Sequence, residues 1–253
     1  MTKAVPWRSG DRVLLVSPHP DDIAYSIGGL LAIAARTAQP VDVSLLTVFS
    51  RSAWALPKEL RRRGPAAIEV VRTAEDAAFC DAYSIAHVTL GFPDSSLAGY
   101  DEEAERRAEP DTDLRAPAVA AAIGEHLRVV APDWILCPAA IGDHIDHRIV
   151  HDAVTGTGIA AARGRAAADG ASILFYEDIP YAAWSSLAEI DARASAAGLR
   201  AEVTLAIDGV LAAKVRGMWR YASQTSAVTI EEMMMHATRV APPGAAYGER
   251  LWR

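Results

Sequence analysis

Cysteine is almost missing from this chain: Cys80 and Cys137 are the only two in 253 residues. That is too few for a disulfide framework, and each lies in an apolar stretch where a reduced thiol packs as a small hydrophobe. A reducing cytoplasm is the expected setting. Lysine is nearly as scarce, with Lys3, Lys58 and Lys214 the whole complement, and the formal net charge is −7. Residues 61–63, three arginines, form the only basic cluster. This acidic balance argues against a nucleic-acid or anionic-membrane partner, since both are usually gripped by a basic surface. Long hydrophobic runs are also missing. The longest, residues 23–35, is interrupted by Ser26, Gly28 and Gly29 and is too short to span a bilayer. The N-terminus has no apolar signal core.

What the chain does have is a 51% hydrophobic composition, enough for one sizeable α/β core, and a bias toward arginine and alanine common in proteins of GC-rich bacteria. Apolar runs of strand length at 12–17, 41–48, 85–90, 133–137 and 172–176 alternate with helical patterns at 24–38, 68–82 and 117–130 and from 146 to about 154. Strand, crossover helix and strand in sequence make parallel βαβ units, so the expected fold is a three-layer α/β/α sandwich on a mostly parallel, Rossmann-like sheet. Gly28 and Gly29 should let the first helix lie close to the sheet, and Pro40 should end it. In the helix at 68–82, Arg72, Glu75 and Asp76 fall off the apolar stripe. Residues 100–113 are charged enough to read as an exposed loop or lid, and 156–170 form a low-complexity helix tail and surface loop. A helix at 186–197, a strand at 201–207, helices at 210–223 and 230–238 and a Pro- and aromatic-containing tail complete a single domain, 1–253. Its variable part, 184–253, should finish the sheet and cover the site.

Two clusters stand at strand ends. Residues 13–22 run Val-Leu-Leu-Val-Ser-Pro-His-Pro-Asp-Asp, and residues 142–147 run Gly-Asp-His-Ile-Asp-His. In open parallel sheets ligands bind at the carboxyl ends of the strands, so the clusters should assemble one site. A helix needs one capping side chain, and a proline-flanked histidine with two adjacent aspartates exceeds that need. His19 and Asp22, three residues apart, can face a common ion, with His147 as third ligand. Two histidines and one carboxylate leave an open position for water, as in catalytic zinc sites. Asp21, free of the ion, is placed as general base. His144 can stabilise an oxyanion, with Asp146 holding its imidazole in the charged form. The pattern fits amide hydrolysis.

His19-Pro20-Asp21-Asp22-Ile23 and His144-Ile145-Asp146-His147 resemble the two motifs of the PIG-L or LmbE-like family of zinc-dependent N-deacetylases, typically His-Pro-Asp-Asp-Glu and His-x-Asp-His. Supporting pieces are Arg72 to Glu75, residues 90–94 and residues 175–181. The resemblance implies His19, Asp22 and His147 as metal ligands, Asp21 as base and His144 as electrophilic or acid partner. It also implies Arg72 and Asp94 as sugar contacts. Beside that stand a helix-surface ion pair of Arg72 with Glu75 or Asp76 and a turn-capping role for Asp94. Ile23 stands where the family usually has Glu; it replaces no ligand but exposes substrate preference to change.

The expected activity is therefore N-deacetylation of an N-acetylated amino sugar or related small molecule. With no membrane anchor, a soluble substrate is expected rather than a lipid-linked one. Two other readings stand beside it. One is a sugar-binding module on an altered catalytic pocket; the other is a two-histidine-one-carboxylate iron oxygenase, which has no use for Asp21 beside the metal. The sequence leaves open the acyl group, the choice between Zn2+ and Fe2+ and a homo-oligomeric state.

Overall fold

The computed structural model describes residues 5–37, 41–156 and 170–253. Its strands are β1 (Arg12–Ser17), β2 (Asp42–Thr47), β3 (Ala86–Thr89), β4 (Trp134–Pro138), β5 (Ser172–Tyr176), β6 (Ala201–Ala206) and β7 (Gly248–Trp252). Its helices are α1 (Asp22–Ala34), α2 (Lys58–Arg62), α3 (Pro65–Tyr83), α4 (Ser95–Ala98), α5 (Ala104–Arg107), α6 (Ala116–Val130), α7 (Ile145–Thr155), α8 (Tyr181–Trp184), α9 (Leu187–Ala196), α10 (Leu211–Met218) and α11 (Ala227–Arg239). The strands form one sheet in the order β3-β2-β1-β4-β5-β7-β6. The first five are parallel, and β7 runs antiparallel to both β5 and β6.

Val13, Leu14, Leu15 and Val16 of β1 are all buried, because a central parallel strand is covered by helices on both faces and so reads as a continuous apolar run. From β1 the chain builds outward through β2 to β3, then returns to lay β4 on the other side of β1. Right-handed crossovers in opposite directions place α1 and α3 on one face of the sheet and α6 and α7 on the other. The order reverses between β1 and β4, paired with Leu15 opposite Leu136. The crevice beyond their carboxyl ends is where such sheets take ligands, and both sequence clusters open onto it.

Helix α1 is shaped by a distant carboxylate. Its backbone breaks at Ile27 (φ −130°, ψ 22°). Glu249 of β7 then accepts hydrogen bonds from the N–H groups of Gly29 and Leu30 at 2.8 and 2.7 Å, satisfying donors that the break exposes. Lys214 of α10 pairs with Glu249 at 2.5 Å. A Cβ on Gly29 would lie 2.7 Å from Glu249 Oε1 and 2.8 Å from Ile207 Cγ2. The glycine pair does permit close approach, but to α10 and β7 more than to the sheet interior.

Several expectations change. Helix α1 ends at Ala34, and Pro40 lies outside the described residues, as do 157–169 of the low-complexity stretch. The C-terminal tail contributes β7, whose alternation is masked by Glu249 and Arg250. Arg72 and Asp76 of α3 are buried, not solvated. Asp76 accepts from Tyr221 Oη and Thr47 Oγ1, polar partners that stripe analysis does not see. Residues 100–113 are folded, with α5 and a 3-10 turn at Pro110–Thr112. Among the described residues no helix is long and apolar enough to cross a membrane.

Candidate metal centre and hydrolytic site

His19 follows β1 after one proline, and its position is fixed by a short reciprocal turn. Its backbone N–H donates to Asp22 Oδ2 at 2.7 Å. The Asp22 carboxylate is thus turned back onto the His19 backbone, and Asp21 is the N-cap residue of α1, without a side-chain cap bond. His144 is the N-cap of α7, its Nδ1 accepting from the Asp146 N–H at 3.2 Å. The loop before it is tight, with Ala140 and Asp143 both at positive φ. Gly142 leaves room there for Tyr181, which a Cβ would meet at 2.2 Å.

The fold brings His19, Asp22, His144 and His147 together. Asp22 Oδ2 lies 3.3 Å from His19 Nδ1 and 3.5 Å from His147 Nε2. The three imidazoles have ring centroids 5.2 to 5.3 Å apart. One nitrogen from each histidine lies within 4.8 Å of the other two, a grouping able to hold a divalent metal ion. Two ligand trios are therefore available, His19/Asp22/His147 and His19/His144/His147.

Hydrogen bonding separates the histidines. His19 Nε2 lies 3.0 Å from Asp146 Oδ2, and His147 Nδ1 lies 2.6 Å from Asp178 Oδ1. A carboxylate accepts only, so it fixes the proton on the nitrogen facing it and leaves a lone pair on the other. Those free lone pairs, His19 Nδ1 and His147 Nε2, both face Asp22. His147 Nε2 is buried with no hydrogen-bond partner, an atom that an ion would satisfy. His144 is the reverse. Its Nδ1 lone pair is taken by a backbone N–H, so the proton sits on Nε2, which faces the cavity as a donor.

Charge follows the same design. Burial opposes protonation of His19 and His147, yet hydrogen bonds and charge from Asp146, Asp22 and Asp178 overcome it and raise both pKa values. Burial also opposes ionisation of Asp22, but the two histidines hold its pKa down to about 2. Asp146 is held below the usual carboxylate range, burial again being outweighed by His19, His144 and Arg115. Such surroundings favour a cation. Asp21 differs: burial and the neighbouring Asp22 charge raise its pKa against the pull of Arg72. A carboxyl tuned upward is better matched to proton transfer near neutral pH.

Arg72 and Asp94 also reach this place. Arg72 Nη2 lies 3.4 Å from Asp21 Oδ1, and its Nη1 lies 3.9 Å from Asp94 Oδ2. Arg72 is thus not paired on the helix surface. Asp94 does cap α4, accepting from Leu97 N at 3.3 Å, and both side chains line the cavity.

One expected contact is replaced. The Asp146 carboxylate does not hold His144; it faces His19, accepts from the Ser95 N–H at 2.9 Å and lies 2.8 Å from Arg115 Nη1. His144 is outside the helix and Asp146 inside its first turn, so only the Asp146 backbone reaches the imidazole. Sequence reading also assigned no role to Asp178, Arg115 or Glu105. Asp178 stands just past the end of β5, a position equivalent to that of His19 past β1, and it falls in the 175–181 stretch that supports the family resemblance. Arg115 and Glu105 carried no such signal.

His19, Asp21, Asp22 and His144 line a cavity of about 610 Å³, ample for a small glycoside. Trp54 and Trp184, 45% and 53% exposed, stand on its walls and offer flat faces to an amphipathic ring.

Residues 14–157 match the PIG-L family, described as GlcNAc-PI de-N-acetylase. The chain is 41% identical to a 2'-N-acetylparomamine deacetylase of Streptomyces fradiae, over 95% of its own length and 89% of the relative's. Among solved structures it is similar to a deacetylase of the teicoplanin biosynthesis pathway (TM-score 0.69, 25% identity, 95% and 96% of the two chains). It is also similar to the zinc-inhibited form of the teicoplanin deacetylase Orf2 (TM-score 0.67, 25% identity, 95% and 97%).

Proposed function

The chain belongs to the PIG-L family of de-N-acetylases, and from that premise we propose that it hydrolyses the N-acetyl amide of an amino sugar in a small soluble glycoside, releasing acetate and a free amine. The observation that carries this reading is the unpartnered, buried Nε2 of His147 facing Asp22 and the open lone pair of His19. The 2'-N-acetylated amino sugar named for the Streptomyces relative is a guide to substrate.

His19, Asp22 and His147 are the residues assigned to hold the ion, with Zn2+ as its identity. Bound there, a divalent ion acidifies water and polarises an amide carbonyl. Asp21 takes the proton of the attacking water and returns it to the leaving nitrogen. Arg72 keeps the Asp21 carboxylate turned into the cavity. His144 presents Nε2–H to the carbonyl oxygen as it gains charge. Asp146 and Asp178 fix the ligand imidazoles in the tautomers that leave lone pairs for the ion. Asp94 and the two tryptophans are assigned to the sugar. Residues 1–253 act as one domain, with 184–253 extending the sheet through β6 and β7 and walling the cavity with Trp184. The setting is cytoplasmic.

The experiment is a panel of N-acetylated amino sugars and pseudodisaccharides incubated with metal-reconstituted protein, with released acetate and product mass as readouts. Arms with Zn2+, Fe2+, Co2+ and Mn2+ identify the metal. Acetate from at least one N-acetyl glycoside supports the reading. Binding of these compounds without acetate release under every metal contradicts it.

A further inference from the structure

Helix α5 contributes no buried residue, yet it sends one carboxylate into the cavity. Glu105 Oε2 lies 3.4 Å from His144 Nε2 and accepts a hydrogen bond from Ser95 Oγ at 2.8 Å. Of its neighbours, Arg107 pairs with Glu103 in solvent, and Arg106 lies over Trp184 on the cavity wall. Core packing therefore does not account for where Glu105 points. The carboxylate belongs to a closed ring of contacts. His144 Nδ1 accepts from Asp146 N–H, Asp146 Oδ2 accepts from Ser95 N–H, Ser95 Oγ donates to Glu105, and Glu105 faces His144 Nε2.

We propose that Glu105 is a positioning residue for His144, fixing the far edge of an imidazole whose near edge is fixed by the α7 N-terminus. This rests on the deacetylase reading for its kinetic consequence. A ring held at one nitrogen can swing about that contact; held at both, it keeps Nε2–H in one direction, where the long 3.4 Å contact to Glu105 leaves the hydrogen to be shared with a substrate carbonyl oxygen. A 1 Å misplacement of such a donor costs rate on the order of 100-fold. The 100–113 segment is then a wall of the site. Ile23, where the resembled motif usually has Glu, is fully buried in the core, and Glu105, from another part of the chain, does not take its place.

Glu105→Ala and Glu105→Gln test the proposal in metal-loaded protein. Glu105→Ala is expected to lower kcat by about 10-fold to 100-fold with KM and metal content nearly unchanged. Glu105→Gln should retain most of the rate, since its amide oxygen accepts the same two hydrogens. In a His144→Ala background, Glu105→Ala should cost almost nothing more. A rise in KM that persists in the His144→Ala background would show the carboxylate acting on substrate and overturn the proposal. A second readout needs no turnover: 15N-edited NMR should show an exchange-protected His144 Nε2–H in wild type and Glu105→Gln that is lost in Glu105→Ala. Its absence from wild type, or persistence in Glu105→Ala, also overturns the proposal. Absence of acetate from wild type, with this NMR pattern intact, would count against the deacetylase reading alone.

Discussion

Asp178 Oδ1 lies 2.6 Å from His147 Nδ1, and this contact decides which way the ring's lone pair points. Asp178 also accepts the Ile141 N–H at 3.0 Å, so one carboxylate ties the end of β5 to the loop that leads into α7. In Asp178→Asn the acceptor is neutral and the tautomer less firmly set. Metal affinity should fall by about 10-fold to 100-fold, measured by competition with a chelating dye, while the circular dichroism spectrum is unchanged.

Asp21→Asn separates base from ligand. The variant should bind metal as wild type does and lose about 100-fold to 10,000-fold in kcat. Atomic absorption and acetate release on the same sample check both halves. Full activity would remove Asp21 from the mechanism.

Much of this was legible because the chemistry sits at strand ends. The run from Val13 to Val16 announces a central parallel strand, and a His-Pro-Asp-Asp stretch just after it has no purpose in a surface turn. His144 and His147 were legible for the same reason. The remainder depends on contacts that cross the fold. Glu249 reaches Gly29 across 220 residues, Asp178 reaches His147 from the loop beyond β5, and Arg72 is buried although its helix pattern points it outward. A side chain's partner outside its own element leaves no period or spacing in the sequence.

Gly142→Ala probes the approach of Tyr181. The added Cβ would lie 2.2 and 2.4 Å from Tyr181 Cβ and Cγ, near the backbone end of that side chain, where a rotamer change gives no relief. The clash should cost about 1–3 kcal/mol, seen as a lower urea midpoint. It should also reduce activity, because Tyr181 packs on the rings of His144 and His147.

Glu177 supplies a pH signature away from the metal. It is bonded by His236, Arg250 and Trp252. Burial works against its charge, but these partners win and hold its pKa below the ordinary value of 4.5. A carboxylate depressed in the folded state adds stability that is complete above the unfolded pKa and lost as pH falls through the folded one. Glu177→Gln should therefore lower Tm at pH 7, and its deficit against wild type should shrink as pH drops below about 4.5. A deficit independent of pH would mean that packing, not charge, is what Glu177 contributes.

Water activated at a metal held by His19, Asp22 and His147 should leave its oxygen in the acetate it releases, which reaction in 18O-labelled water with chelator-stripped and metal-reconstituted protein, with and without oxygen, will show. Stripped protein should give no acetate. Reconstituted protein should give acetate carrying one 18O at a rate indifferent to oxygen, and His147→Ala should regain no metal. Acetate formation that survives stripping, or turnover that requires oxygen, would contradict this chemistry.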